Sequence, residues 1–359
     1  MRHKLSAHKT LLVRGPAIIN LVEGHASILA APLNPNHPTH IPKQKQLPVE
    51  AESETILEIT RKQPGGNFEV EGSTIPVSWR AAANALHEMR EGRVIVIGAA
   101  DVGKSTLSAY LTNHLLAQGH KVQLVDADIG QADVGPPTTI ANALPNRPIT
   151  SLNDLSPTNM LFIGTTSPPR VESKLINGVE KLSTDANSAV TIINTDGWVN
   201  EPNAIFFKTR MINSLHPNLV LGLARRRELQ PILSSTRAES MIIDSAKQVL
   251  PRSRRNRREI RFSGYRRYLE GGKTTAIPLR ELQLSTPQGF PGIRSSRIQE
   301  LYDLIVGFTG EDGYLIQIGI FGGTEDNMAY FFCRGIASLR RVEFGYVRLS
   351  VSGRETGYI

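Results

Sequence analysis

The stretch "RVIVIGAADVGKST", residues 93–106, constrains this chain more than any other. An apolar run from Val94 to Ile97 enters a glycine-bounded loop, which opens onto "KSTLSAYLTNHLLAQG", a helix by its residues and closed by Gly119. A strand buried on both faces of a parallel sheet carries such a continuous run. The loop matches G-x-x-x-x-G-K-[ST], and between strand and helix that pattern cradles phosphate. Successive loop N–H groups and the helix N-terminus point at phosphate oxygens. Gly98 and Gly103 reach backbone angles that a side chain forbids. Lys104 reaches the outer phosphates, and the Ser105 hydroxyl ligates Mg²⁺. Gly98, Ala99, Ala100, Asp101, Val102, Gly103, Lys104, Ser105 and Thr106 are therefore the expected nucleotide-binding segment. The pattern alone recurs by chance; its position between strand and helix is what argues against a fortuitous glycine-rich turn.

The same rhythm continues. "KVQLVDAD", "NMLFIGTT", "AVTIINTDG", "NLVLGLA" and "AESMIIDS" read as further strands alternating with helices, which predicts an α/β domain on a parallel sheet. Upstream, residues 10–31 show short apolar stretches broken by Gly and Pro, as small antiparallel strands do. Residues 32–48 carry five prolines and read as an extended loop. "ETILEIT" reads as another strand, "TIPVSW" closes this β segment, and "RAAANALHEMREG" is helical by propensity. Beyond about residue 275, "GYLIQIGIFGG", "MAYFFCRGI" and "VEFGYVRLSV" read as a C-terminal β domain. The expected fold is α/β: a central P-loop NTPase domain with a parallel sheet (84–275), flanked by small β domains at 1–83 and 276–359. No internal repeat is present.

With 359 residues, 40% hydrophobic and 21% charged, the composition is that of a soluble globular protein of two or three domains. No apolar run approaches the roughly 20 residues that span a bilayer, and the start lacks a signal peptide's apolar core. The single cysteine, Cys333, excludes an internal disulfide and a cysteine metal cluster and fits a cytoplasmic protein. Net charge is +8, and "PRSRRNRREIRFSGYRR" (251–267) sets eight arginines against Glu259 alone. Such concentration marks a place where anions are handled; a solvated loop is the plainer reading. "ARRRE" (224–228) reads as surface charge or an extension of that basic face.

A carboxylate at the end of the strand after the P-loop helix lies beside the γ-phosphate, where it binds Mg²⁺ or takes a proton from a nucleophile. "VDADIGQ" offers Asp126 and Asp128, two positions apart at the end of that strand. Periodicity does not choose between them, and the other is a strand-end or turn aspartate.

At these residues the chain resembles the polynucleotide 5′-hydroxyl kinases, which include archaeal RNA kinases, the kinase subunit of the mRNA cleavage factor and nucleolar pre-rRNA kinases. "GAADVGKST" (98–106), "DADIGQADVG" (126–135), "FIGTTSP" (162–168), "INTDGW" (193–198) and the arginine segment ending "YRRYLEGG" (265–272) occur in that family's order. The resemblance is firmest over residues 94–271. It implies ATP as co-substrate, Mg²⁺ held through Ser105 and Asp128, Asp128 as general base on the terminal hydroxyl, and a secondary role for Asp126. It places Gln131 near phosphate or water at the metal. It makes Thr195 and Gly197 the clasp for the acceptor's phosphate region, with Trp198 stacking on nucleic acid. Without it, Trp198 reads as a core aromatic and Thr195 as a strand-end hydroxyl. The arginine segment is similar to the family's lid. Arg257 and Arg261 share a helical face and, with Arg252 and Arg258, would neutralise the transferring phosphate. Arg254, Arg255, Arg266 and Arg267 read as backbone contacts or solvated charges. In the family the adenine is partly held by the N-terminal β domain, where this chain is too divergent to name contacts.

The implied function is transfer of the ATP γ-phosphate to the 5′-hydroxyl end of RNA, with DNA ends an open second acceptor, in RNA processing or repair. The rival is an ATP-binding scaffold subunit of an RNA-processing complex with little turnover. Intact Lys104, Ser105, Asp128, Trp198 and lid arginines favour the enzyme. A hydrolysing ATPase or GTPase switch is more remote, since no Asn-Lys-x-Asp segment reads guanine and the arginine lid argues for transfer.

Overall fold

The computed structural model describes residues 1–359 except 44, 62–65, 185–188, 226, 250, 288–289, 291–296 and 336–340. Arg226 of the "ARRRE" run thus lies outside the described residues. The chain divides into two compact units, one of Met1–Leu124, Leu144–Leu155 and Asp185–Arg252, the other of Val125–Ala143, Ser156–Thr184 and Ser253–Ile359. No helix among the described residues is long and apolar enough to cross a membrane.

In the first unit, strands Val190–Thr195, Gly92–Gly98, Leu219–Ala224 and Glu239–Asp244 lie side by side and parallel. Their apolar runs are buried as the sequence requires, Val94, Ile95, Val96 and Ile97 completely. Helix Lys104–Ala117 follows the P-loop strand and is buried on almost every side. Its Asn113 donates to the Leu29 and Ile149 carbonyls (both 2.7 Å) and accepts from Ile149 N–H (2.8 Å), so one amide ties three segments together. The helix expected at 80–92 begins earlier, at Val77, directly after Pro76, and ends at Met89.

The N-terminal residues of this unit form two antiparallel sheets. The proline-rich stretch read as a loop contributes strands Thr39–Ile41 and Gln46–Ala51. Pro48 is tolerated there because it faces Leu12 on one side, while the other neighbour, Ala26–Ile28, pairs only with Glu50 and Ala51. The missing N–H therefore falls on a locally open edge.

In the second unit, Thr139–Ala143 and Asn159–Phe162 form an antiparallel pair. This corrects the expectation that "NMLFIGTT" is one more parallel strand. The connection between the two carries a single 3₁₀ turn, Leu152–Asp154, and no crossover helix, and a parallel return needs such a crossover. The C-terminal sheet is built from Lys273–Pro278, Met328–Cys333, Leu315–Glu325, Leu304–Thr309, Arg341–Leu349 and Gln283–Ser285, with Glu355–Tyr358 paired to Arg341–Leu349. One of its cores holds Phe308, Phe321, Phe331 and Phe344, with rings at 5.1–5.6 Å. The other joins Phe162, Tyr265, Leu269, Ile305 and Val347, which seats the arginine-rich helix Arg254–Leu269 on this sheet.

Candidate active site

The P-loop is shaped by backbone angles that explain its glycines. Gly103 precedes the helix with φ +108°, and Gly98 has φ +154°. A Cβ on Gly98 would stand 2.5 Å from the Leu223 carbonyl oxygen. No side chain caps the helix N-terminus, so its first N–H groups and the positive end of its dipole are presented to an anion. Lys104 Nζ donates to the Gly98 and Ala99 carbonyls (3.0 and 2.9 Å), which hold the ammonium across the loop. Ser105 Oγ lies 3.4 Å from Asn194 Nδ2. Asp101 Oδ2 accepts the backbone N–H of Arg252 at 3.0 Å, and the Asp101 carbonyl accepts from Arg225 at 3.1 Å.

The "TDGW" turn, at the end of strand Val190–Thr195, leans on this loop. A Cβ on Gly197 would come within 2.6 Å of Ala100 N, so only glycine allows the approach. Thr195 is fully buried and its hydroxyl donates to the Val96 carbonyl at 2.8 Å, where it braces the P-loop strand. Trp198 is half-buried, its ring 5.9 Å from that of Phe207. Asp196 Oδ1 accepts the Trp198 N–H (2.8 Å), and Oδ2 accepts from Lys208 Nζ (2.6 Å). The sequence reading passed over Asp196 and Lys208. A signal existed: on helix Pro202–Leu215 the buried face is Ala204, Phe207, Lys208, Met211, Ile212 and Leu215, a lysine among apolar residues.

A cleft of about 120 Å³ in the same unit ends at Ser105, Thr106 and Arg252 and is walled by Leu12, Leu47, Pro48, Ile75, Trp79 and Val249. Lys45 sits on its rim, donating to Ser151 Oγ (2.6 Å) and Asn153 Oδ1 (2.7 Å). Such a wall suits a planar apolar ring. Its wall was invisible in the sequence because it gathers residues from two strands, a helix and two connecting segments far apart in the chain.

The second unit separates the two aspartates. Asp126 is buried, and its carboxylate accepts from Asp133 N–H (2.7 Å), Val134 N–H (3.1 Å) and Asp128 N–H (3.3 Å). Burial, and then the neighbouring charges of Asp133 and Asp128, raise its pKa to about 7. Asp128 is half-buried, with Oδ1 accepting from Gly130 and Gln131 N–H (3.1 and 2.9 Å). Asp126 organises the turn, and Asp128 is the one with an accessible carboxylate. Gln131 Nε2 donates to the Gly130 carbonyl at 2.6 Å and lies 3.5 Å from the Arg257 carbonyl.

Helix Arg254–Leu269 starts at Ser253, whose hydroxyl accepts Asn256 N–H at 3.1 Å. Arg257, Arg261, Tyr265 and Leu269 recur every four residues along one face. Arg261 forks onto Glu355 through Nε (2.5 Å) and Nη2 (2.8 Å), with only 14% and 8% of the two side chains exposed. The guanidinium pKa is raised: burial opposes this, and the Glu355 bond and charge outweigh it. Glu355 is 94 residues away, and nothing in the sequence pointed to it. Arg254, Arg255, Arg258, Arg266 and Arg267 are exposed.

Known proteins resemble this chain over the P-loop and the segments that follow it. Residues 98–271 match the family described as mRNA cleavage and polyadenylation factor CLP1 P-loop. A polyribonucleotide 5′-hydroxyl-kinase of Pyrococcus abyssi is 34% identical over 61% of this chain and 62% of its own. One of Pyrococcus furiosus is 26% identical over 78% of this chain and 94% of its own. Clp1 of Xenopus tropicalis is 28% identical over 55% of this chain and 48% of its own. A chain in the structure of the wild-type Clp1p–Pcf11p complex shares the fold, with TM-score 0.77 and 14% identity over 97% of this chain and 98% of that one. Similarity to the CLP1 P-loop family therefore extends over residues 98–271 of this chain.

Proposed function

We propose that this protein is an ATP-dependent polynucleotide 5′-hydroxyl kinase that moves the γ-phosphate of ATP onto the 5′-hydroxyl end of RNA. One observation carries the reading: the "TDGW" turn packs on the P-loop at Gly197 and Ala100 and bears a half-buried tryptophan, while no side chain caps the helix that the P-loop opens. A nucleotide hydrolase has no use for an aromatic platform there, whereas a kinase needs one for its polymer acceptor.

The P-loop N–H groups and Lys104 hold the triphosphate, and the cleft walled by Leu12, Ile75 and Trp79 takes the adenine. Asp128 takes the proton from the attacking 5′-hydroxyl; Asp126, engaged by three N–H groups, keeps that turn in shape. Arg252 and Arg257 neutralise the moving phosphoryl group, and Arg258 with the exposed arginines engages the RNA backbone. Arg261 joins in the neutralisation through Nη1, since Nε and Nη2 donate to Glu355. Thr195 and Gly197 set the clasp, and Gln131 orders the turn after Asp128.

Mg²⁺ fits the donors. Among the described residues no three His, Cys, Asp or Glu side chains form a metal cage, and Mg²⁺ needs none, being bound through one or two carboxylates with phosphates and water. Half-buried Ser105 and Asp128 offer such oxygens. The ion supplies charge neutralisation of the phosphate oxygens when bound. The buried Cys333 supports a cytoplasmic location; the division into 1–83, 84–275 and 276–359 follows the texture of the sequence, and helix Val77–Met89 and strand Lys273–Pro278 each run across one of its boundaries.

Incubation with Mg²⁺ and γ-labelled ATP is expected to label 5′-hydroxyl oligoribonucleotides and leave 5′-phosphorylated ones unlabelled. Label released only as free phosphate would replace the kinase by an ATPase. Matched DNA ends in the same assay decide the breadth of the acceptor.

A further inference from the structure

Lys208 is wholly buried, with 0% of its side chain exposed, in the middle of helix Pro202–Leu215. Burying an ammonium is unfavourable unless its partner is well placed. Its partner is the Asp196 carboxylate, itself only 7% exposed. That carboxylate does two things at once. Oδ2 accepts from Lys208 at 2.6 Å, and Oδ1 accepts the backbone N–H of Trp198 at 2.8 Å. The lysine therefore reaches the tryptophan backbone through one intervening group.

Two neighbours complete the arrangement. Phe207, adjacent to Lys208 on the helix, is 1% exposed and stands 5.9 Å from the Trp198 ring with the planes inclined at 34°. Gly197, between Asp196 and Trp198, leaves no room for a Cβ against Ala100. The turn is thus held from the P-loop side by sterics and from the helix side by an ion pair, while the ring is backed by Phe207.

From this we infer that Lys208 and Asp196 are positioning residues for the acceptor: the buried pair fixes the Trp198 platform, so affinity for the polynucleotide end depends on a lysine that never touches it. An apolar pair of similar volume would serve stability as well or better; what it would lose is the hydrogen bond that orients Trp198. The inference rests on the kinase reading only for the identity of the ligand on the platform.

Two tryptophans, Trp79 and Trp198, make the test direct. Protein labelled with 5-fluorotryptophan gives two ¹⁹F resonances, assigned with Trp198→Phe. Lys208→Met is expected to shift or broaden the Trp198 resonance and spare that of Trp79. It should weaken binding of a 5′-hydroxyl oligoribonucleotide, and raise its KM, by about tenfold, the scale of a lost base–aromatic stack, with ATP affinity held within about twofold. Asp196→Leu/Lys208→Met, which removes both charges together with the acceptor of the Trp198 N–H, is expected to fold and show the same loss; it replaces the single variant should that fail to fold. An unmoved Trp198 resonance with unchanged RNA affinity overturns the inference, as does an equal fall in ATP affinity, which marks a purely structural pair. The RNA titration needs no turnover. A wild-type protein that binds RNA but transfers nothing sinks the kinase reading and leaves this test standing.

Discussion

Asp126 and Asp128 show how one residue's spacing becomes chemistry. They lie two positions apart, and the fold gives one to the turn and the other to the solvent side. Three N–H donors hold the Asp126 carboxylate in place, and burial still pushes its pKa up to about 7. Asp128→Ala is therefore expected to abolish transfer while ATP affinity, measured by titration, stays near that of the parent. Lys104→Ala should instead lose ATP. Equal losses of ATP affinity in the two variants would remove the general-base assignment. The P-loop residues were legible because their backbone demands are written in glycine and lysine. Lys208 was not, because a lysine in a helix is ordinarily solvated and only its apolar neighbours at helical spacing mark it as buried.

Among the elements, the arginine-rich helix combines anchorage and charge on one face, with Arg257 one turn before Arg261, and Tyr265 and Leu269 on the turns that follow. Tyr265 and Leu269 anchor it to the C-terminal sheet, and Arg261 is fastened to Glu355 on strand Glu355–Tyr358. Its arginine spacing was readable from residue types alone, whereas its anchorage depends on a strand near the C-terminus that no local pattern links to it. Arg257→Glu is expected to lower kcat by at least about tenfold, given that a transition-state arginine contributes 10³–10⁵, with ATP affinity changed less. A larger effect on ATP binding than on kcat would make this helix a surface element. The strand at "NMLFIGTT" teaches the converse: hydrophobic runs predicted a strand, but its direction is set by the connection, and a connection without a helix brought it back antiparallel.

At the scale of the whole molecule, stability carries a pH signature away from the site. His114, near the end of the P-loop helix, has its pKa lowered from 6.5, first by burial and then by the charges of His87 and His120. His87 Nδ1 and His120 Nε2 stand 2.8 Å apart. The unfolded chain therefore binds more protons than the folded one as pH falls through the unfolded value, and stability drops with it. His114→Gln is expected to raise Tm relative to the parent at pH 5.5 and to differ less at pH 8; a pH-independent difference would show that His114 does not titrate with folding. The individual strands of the parallel sheet and the cradle were visible along the sequence because each is a run of neighbouring residues. The walls of the cleft lined by Leu12, Ile75 and Trp79 and the sharing of segments between compact units were not, since both are made by residues far apart in the chain.

That sharing has a consequence for how such a protein can be taken apart. The polypeptide passes between the two compact units five times, after Leu124, Ala143, Leu155, Thr184 and Arg252. No single cut releases either unit as one continuous fragment, so exon shuffling, truncation mapping and split-protein reassembly all start from a chain that is inherited whole.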